Sequence, residues 1–462
     1  MTSQIVIMNT HGFAFASDSA VTTGEYTSNS VQKIFTLPGR QPVAFMVMGS
    51  AIHAASGLTW DRVFYQYHLH FTKKYGKDTE LPHMSVYESD FSSYLTSIIS
   101  ERNNKIALMR DIYSHFGDDK SYIWRGVNNS DIPEFSEEET SPQLLFSQNI
   151  SSTLDYFKEK ASNDLEKAYK LEQVVNIYGD DLVEVAEEII QSSGKLDPTK
   201  ELTDTMCEFI AQHLVYYQSD DNWKVSTSTV VLAGFGSEDD YPAYVKMKTG
   251  SVTQGLPTNF ILERNVVDSN VDISPSASDE NKISKSRVFI EPLAQDRFTT
   301  RITTGMDKIY WQNQRVSREA EDCVIQWLNE YGVKEVSKVA GIGAVTAKKI
   351  IKQLIEDAQM PLAVGSLHWK NLRESIHYNK VQFRKAVDRL APIDLCKMAT
   401  NLIETEAVMS SFIYHTRSVD LPIDSCYVTK ENGFIWKSIK NIPDPSINPK
   451  VFNIERDGTL MF

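Results

Sequence analysis

Long apolar runs are missing from this chain. No window approaches the roughly eighteen unbroken apolar residues that a membrane-spanning helix needs. Cysteine is scarce as well: Cys207, Cys323, Cys396 and Cys426 lie far apart and show none of the close pairing that zinc sites or small disulfide scaffolds use, so reduced, packed thiols are expected. Positive charge is in deficit. The 47 Lys and Arg against 61 Asp and Glu leave a formal net charge of −14, which disfavours a general nucleic-acid or anionic-membrane surface and leaves room only for a local basic patch. The first residues, Met-Thr-Ser-Gln, carry no basic segment and no small-residue cleavage site ahead of an apolar stretch, so a signal peptide is not expected and a cytoplasmic protein without membrane contact is.

What is present is an ordinary globular composition on a chain of 462 residues, longer than one hydrophobic core usually supports. Two domains, or one domain with a large insertion, are therefore predicted. Short apolar runs at 4–8, 13–16 and 43–48, bounded by turn residues, read as buried strands, and the first two form a hairpin across Asn9-Thr10-His11-Gly12. From 51 to 220 the pattern changes to charge-rich helical spacing, as in 154–160 and 182–190, with a solvated segment at 128–142. Strand signals return at 228–236 and 241–247. A loop is read over 268–286, a strand at 287–290 and a helix from Asp307 onward; a helix over 393–412 and a hairpin from 425–429 to 433–436 close the sequence. Strands, helices, strands, helices, strands in that order argue for an α+β fold with antiparallel sheets rather than a parallel βαβ fold.

A threonine hydroxyl is a poor nucleophile unless a base lies within reach, and a chain-terminal threonine carries one in its own α-amino group, which titrates near pH 8 when unperturbed. Thr2 becomes such a residue if Met1 is removed, which the small side chain at position 2 permits. A nearby ammonium stabilises a developing alkoxide, and Lys33 is the candidate. Asp18, at the end of the second strand, is the carboxylate that could keep that ammonium charged and oriented.

Together these residues carry a resemblance. The stretch Thr2-Ser3-Gln4-Ile5-Val6-Ile7, then Ala14 through Thr22, Gln32-Lys33-Ile34-Phe35 and Met48-Gly49-Ser50 resembles the opening of proteasome β-type subunits, within the N-terminal-nucleophile (Ntn) hydrolases. Residues 229–247 and 421–436 look like later sheet strands of bacterial proteasome-related proteins, so that about 200 residues are covered in pieces. The resemblance implies a four-layer αββα sandwich with antiparallel sheets and a large helical insertion: 1–50 and 221–462 as a discontinuous core and 51–220 as the insertion. It implies a threonine-type peptidase with Thr2 as nucleophile, Asp18 and Lys33 in support, and no cofactor. The backbone N–H of Met46 aligns with the family glycine that completes the oxyanion hole. The family's Gly-Ser-Gly turn has Thr303-Thr304-Gly305 as its counterpart, and its late Asp and Ser have no clean match in 416–420. A peptide or protein substrate is implied, with a homo-oligomer that is a dimer or an altered ring, because the insertion falls near ring-packing surfaces.

Two further patterns stand apart. Residues 339–350, within 330–356, resemble a helix-hairpin-helix, in which Gly341 and Gly343 would present backbone N–H groups to a phosphate while Lys348 and Lys349 add charge; this is a candidate nucleic-acid contact through 339–352. The alternative is plain helix packing. His68 and His70 would share a face on a strand and part on a helix, and no acidic third ligand stands near them, so no metal is predicted. The competing class for the whole chain is a non-catalytic scaffold that binds protein or nucleic acid.

Overall fold

A computed structural model describes residues 3–18, 20–23, 26–28, 31–37, 41–117, 121–124, 142–161, 165–192, 194, 196–216, 227–253, 259–271, 283–294, 296–307, 326, 331–340, 343–414, 419 and 421–439. The described strands are β1 (Ser3–Asn9), β2 (Gly12–Ser17), β3 (Val21–Thr23), β4 (Tyr26–Ser28), β5 (Ile34–Thr36), β6 (Val43–Gly49), β7 (Ile52–His53), β8 (Leu58–Thr59), β9 (Ser228–Gly234), β10 (Ala243–Thr249), β11 (Asn259–Val267), β12 (Ile283–Ser286), β13 (Phe289–Ala294), β14 (Asp424–Thr429) and β15 (Gly433–Ser438). The helices are α1 (Trp60–Tyr75), α2 (Met84–Ser97), α3 (Glu101–Phe116), α4 (Pro142–Ala161), α5 (Leu165–Ser192), α6 (Lys200–Tyr216), α7 (Arg297–Thr304), α8 (Val333–Ala340), α9 (Ala344–Asp388) and α10 (Pro392–Tyr414).

A five-stranded antiparallel sheet runs β13-β1-β2-β14-β15, and a six-stranded sheet runs β12-β11-β10-β9-β6-β5, antiparallel except for the β11/β12 pair. The chain is thus a mixed α and β structure with mainly antiparallel sheets. The predicted first hairpin is present, with Asn9 opposite Gly12. A Cβ at position 12 would run into the Val428 carbonyl oxygen, so only glycine fits that turn.

Side-chain alternation explains the packing. On β1 and β2, Val6, Met8, Phe13 and Phe15 face a core shared with Ala44, Met46, Val231, Ala233 and Tyr244 of the six-stranded sheet, so the two sheets lie face to face. The intervening residues Ile5, Ile7, Ala14 and Ala16 pack against Leu395, Ala399 and Ile403 of α10. On the six-stranded sheet the other set, Phe45, Val47, Val230, Leu232 and Val245, meets Trp60, Phe64, Tyr67 and Phe91 of α1 and α2. Both faces of each sheet are covered, which is why these strands read as unbroken apolar runs.

The helical stretch 51–220 divides. Its first two helices cover the six-stranded sheet, whereas α3 to α6 build a separate core from Leu108, Ile112, Trp124, Phe146, Ile189 and Phe209. That bundle is tied to the sheet end where Asn104 exchanges two hydrogen bonds with the Val252 backbone (2.7 Å each) and the Ser251 hydroxyl donates to Asp111 (2.6 Å). The helix read from Asp307, most of the 128–142 segment and Cys323 lie outside the described residues. Strand β12 lies within the stretch read as a loop over 268–286. Among the described residues no helix is long and apolar enough to cross a membrane.

Candidate active site

The site is assembled where the first hairpin meets the edge strand β5. The Ser3 N–H donates to Asp18 Oδ1 at 3.1 Å, and the Asp18 N–H donates back to the Ser3 carbonyl at 3.1 Å. Lys33, just before β5, places Nζ 2.8 Å from Asp18 Oδ1 and donates to the Ala20 carbonyl at 2.7 Å. The Ala20 N–H donates to Asp18 Oδ2 at 3.2 Å, so both carboxylate oxygens accept hydrogen bonds. The pair is deeply buried, with side-chain exposures of 5% for Lys33 and 0% for Asp18. Burial pushes the Asp18 carboxyl above its ordinary range, against the opposing pull of Lys33 and the Ser3 and Ala20 N–H groups. The predicted partnership of Asp18 with Lys33 is therefore formed. Thr2, the predicted nucleophile, lies outside the described residues.

Around the pair the two sheets are joined by polar contacts. Gln4 occupies an inward position of β1, opposite Ser17 of β2. Its Nε2 donates to Ser17 Oγ (3.1 Å) and across the sheet gap to the Val47 carbonyl of β6 (2.8 Å). The Val47 N–H donates to the Lys33 carbonyl at 2.9 Å. Sequence reading passed over Gln4; the signal was a single polar residue in the inward series Gln4, Val6, Met8.

Met46 sits mid-strand in β6, paired with Ile34 on one side and Val231 on the other, and its fully buried side chain belongs to the core between the sheets. Beside Ser3, its register partner Ala294 ends β13 with φ of 62°, a left-handed conformation that costs a non-glycine residue about 1 kcal/mol or more. Helix α7 follows in sequence, and near its start the N–H groups of Phe298 and Thr299 donate to the buried Glu406 Oε2 at 3.0 Å each. Thr303, Thr304 and Gly305 lie at the other end of α7, where Gly305 caps the helix with φ of 74°. Of residues 416–420 only Val419 is described, and it is buried.

In β7, His53 is buried with Nδ1 2.9 Å from Ser56 Oγ and Nε2 3.2 Å from Thr249 Oγ1. Burial lowers its pKa to about 4, so the ring is neutral at pH 7.

The second pattern is placed well away in sequence. Gly343 directly precedes α9, with φ of −65° and ψ of 149°, Lys348 and Lys349 are exposed on the helix's first turns, and Gly341 lies outside the described residues. His68 and His70 lie on helix α1, the first buried and the second exposed, so they point in different directions. Comparison with protein-family models, with curated proteins and with solved structures finds no match for this chain.

Proposed function

We propose that this chain is a threonine-type N-terminal-nucleophile amidohydrolase, a proteasome-like peptidase that cleaves peptide bonds through an acyl-enzyme on Thr2. The observation that carries the reading is the buried Asp18–Lys33 pair, anchored on the N–H of Ser3, the residue covalently next to Thr2. The order of apolar cores supports the αββα arrangement: α10, the five-stranded sheet, the six-stranded sheet, then α1 and α2.

With Met1 removed, the neutral α-amine accepts the Thr2 hydroxyl proton as Oγ attacks the amide carbonyl carbon. The tetrahedral intermediate collapses, the amine returns that proton to the leaving nitrogen, and an ester to Thr2 remains. Water, deprotonated by the same amine, then releases the acid and regenerates the hydroxyl. Lys33 supplies positive charge that stabilises the developing alkoxide, and Asp18 holds Lys33 in place. The family alignment selects the Met46 N–H as the oxyanion donor, but in β6 that N–H faces β9, where Met46 pairs with Val231, so it is not free to hold an oxyanion. The α3–α6 bundle, appended beside the sheet layer, favours a dimer or an altered ring over a stacked barrel. Thr2→Ala should abolish hydrolysis of a peptide panel and leave the fold intact; undiminished turnover in that variant would refute the assignment.

A second reading keeps the fold as a scaffold for nucleic acid. Gly343 has an ordinary φ and a Cβ there would meet nothing within 4 Å, so the fold itself does not demand glycine beside the exposed Lys348 and Lys349. Loss of low-salt binding to a DNA or RNA probe on the Lys348→Glu, Lys349→Glu double substitution supports this reading, and no binding by the unaltered protein refutes it.

A further inference from the structure

Gln4 is polar, 1% exposed and placed in an inter-sheet core that is otherwise apolar along β1. Its amide nitrogen is doubly used, while its carbonyl oxygen is buried with no hydrogen-bond partner among the described residues. An unsatisfied buried oxygen is costly, and a methionine would fill the same space without one. Packing therefore does not account for an amide here. What the amide does is geometric. The Val47 N–H is held by Lys33 and the Val47 carbonyl by Gln4, so both backbone polar groups of one residue of β6 are held. Through Ser17, whose hydroxyl donates to the Asp18 carbonyl at 3.0 Å, the same amide is tied to the segment that carries the Asp18 carboxylate.

We infer that Gln4 is a positioning residue that sets the spacing between the β6 backbone and the Asp18–Lys33 pair, and so fixes where the Lys33 ammonium stands for a nucleophile at residue 2. This inference rests on the peptidase reading. The span is specific: a strand of one sheet grips the backbone of the other within one residue of Met46, next to the only ionic pair buried on both sides among those described at this end of the hairpin. A shift of β6 carries the Lys33 carbonyl with it and moves the ammonium off the position in which it stabilises a developing alkoxide, and losing electrostatic stabilisation of that kind costs about a hundredfold or more in rate.

The test is Gln4→Met in the full-length protein, measured as both the rate and the end point of labelling by a peptide epoxyketone, with kcat and KM on a peptide substrate. The expected result is a fall of tenfold or more in labelling rate and kcat, with KM within twofold and one label per chain at the end point. Gln4→Asn keeps an amide but falls one methylene short of Val47, so it should lower the rate in the same direction and serves if the methionine variant does not fold. Lower end-point labelling with an unchanged rate per labelled chain would assign Gln4 a merely structural role and overturn the inference. So would an unchanged rate in both variants. An unaltered protein that takes up no label overturns the peptidase reading itself, and the inference with it.

Discussion

Replacing Lys33 by methionine should destabilise the protein in a way that depends on pH, and the amount can be worked from the site. The substitution leaves Asp18 fully buried with two backbone N–H donors and no counter-charge among the described residues, and it leaves the Ala20 carbonyl without its ammonium. An isolated buried carboxylate responds by taking a proton, so its penalty has a ceiling: about 1.4 kcal/mol for each pH unit above the usual aspartate pKa near 3.9, or about 4 kcal/mol at pH 7 and about 1.5 kcal/mol at pH 5. The lost bond to Ala20 adds about 1–3 kcal/mol at either pH. The sign follows from linkage. In the variant the folded state holds a proton that the unfolded state has lost, so stability falls as pH rises from 4 to 7, and the penalty relative to the unaltered protein shrinks on acidification.

Adding Asp18→Asn should remove most of that pH dependence and recover part of the loss, because a buried pair replaced on both sides costs less than one broken on one side. Urea unfolding at pH 5, 6 and 7 is the assay of choice, since over 462 residues 1 kcal/mol moves a melting temperature by only about 1 °C. A penalty that is the same at pH 5 and pH 7, or a double variant no more stable than Lys33→Met, would refute the account of the pair.

Three further outcomes follow from residues elsewhere in the structure. With the pKa of His53 lowered to about 4, the unfolded state takes up a proton below pH 6.5 that the folded state refuses, so stability should fall by about 2 kcal/mol between pH 7 and pH 5; His53→Gln should flatten that slope, and an unchanged slope in urea titrations counts against it. Ala294→Gly relieves the left-handed backbone beside Ser3 and should be neutral or stabilising by up to about 1 kcal/mol in the same assay, whereas a clear loss would show that the methyl group is needed. Glu406→Ala leaves the Phe298 and Thr299 N–H groups without their acceptor, so α7 should become a site of limited proteolysis, and cleavage no faster than in the unaltered protein would contradict that anchoring role.

Much of the architecture was legible because buried strands announce themselves. The runs at 4–8, 43–48 and 228–236 are apolar on both faces, and each became a strand of the two facing sheets. β11 was missed because Glu263 and Arg264 interrupt its apolar residues, and Arg264 pairs with Glu88, 176 positions away. The assignment of α1 and α2 to the sheet layer was equally hidden, since helical periodicity tells which face is apolar but not which surface covers it. At the site, the meeting of Asp18 with Lys33 could be anticipated from the place of Asp18 at the end of the second strand together with the family resemblance. The Gln4 link to Val47 joins residues 43 apart on different sheets, and no local pattern encodes it.

The central claim is that residue 2 carries both the nucleophile and its base. A peptide epoxyketone tests it directly, because its two electrophilic carbons are both consumed only by a residue bearing a hydroxyl and a free α-amine. Mass spectrometry of the amino-terminal peptide should find Met1 absent and the adduct on Thr2, with none on Thr2→Ala. A retained Met1, or an adduct that maps elsewhere or persists in Thr2→Ala, would contradict the account.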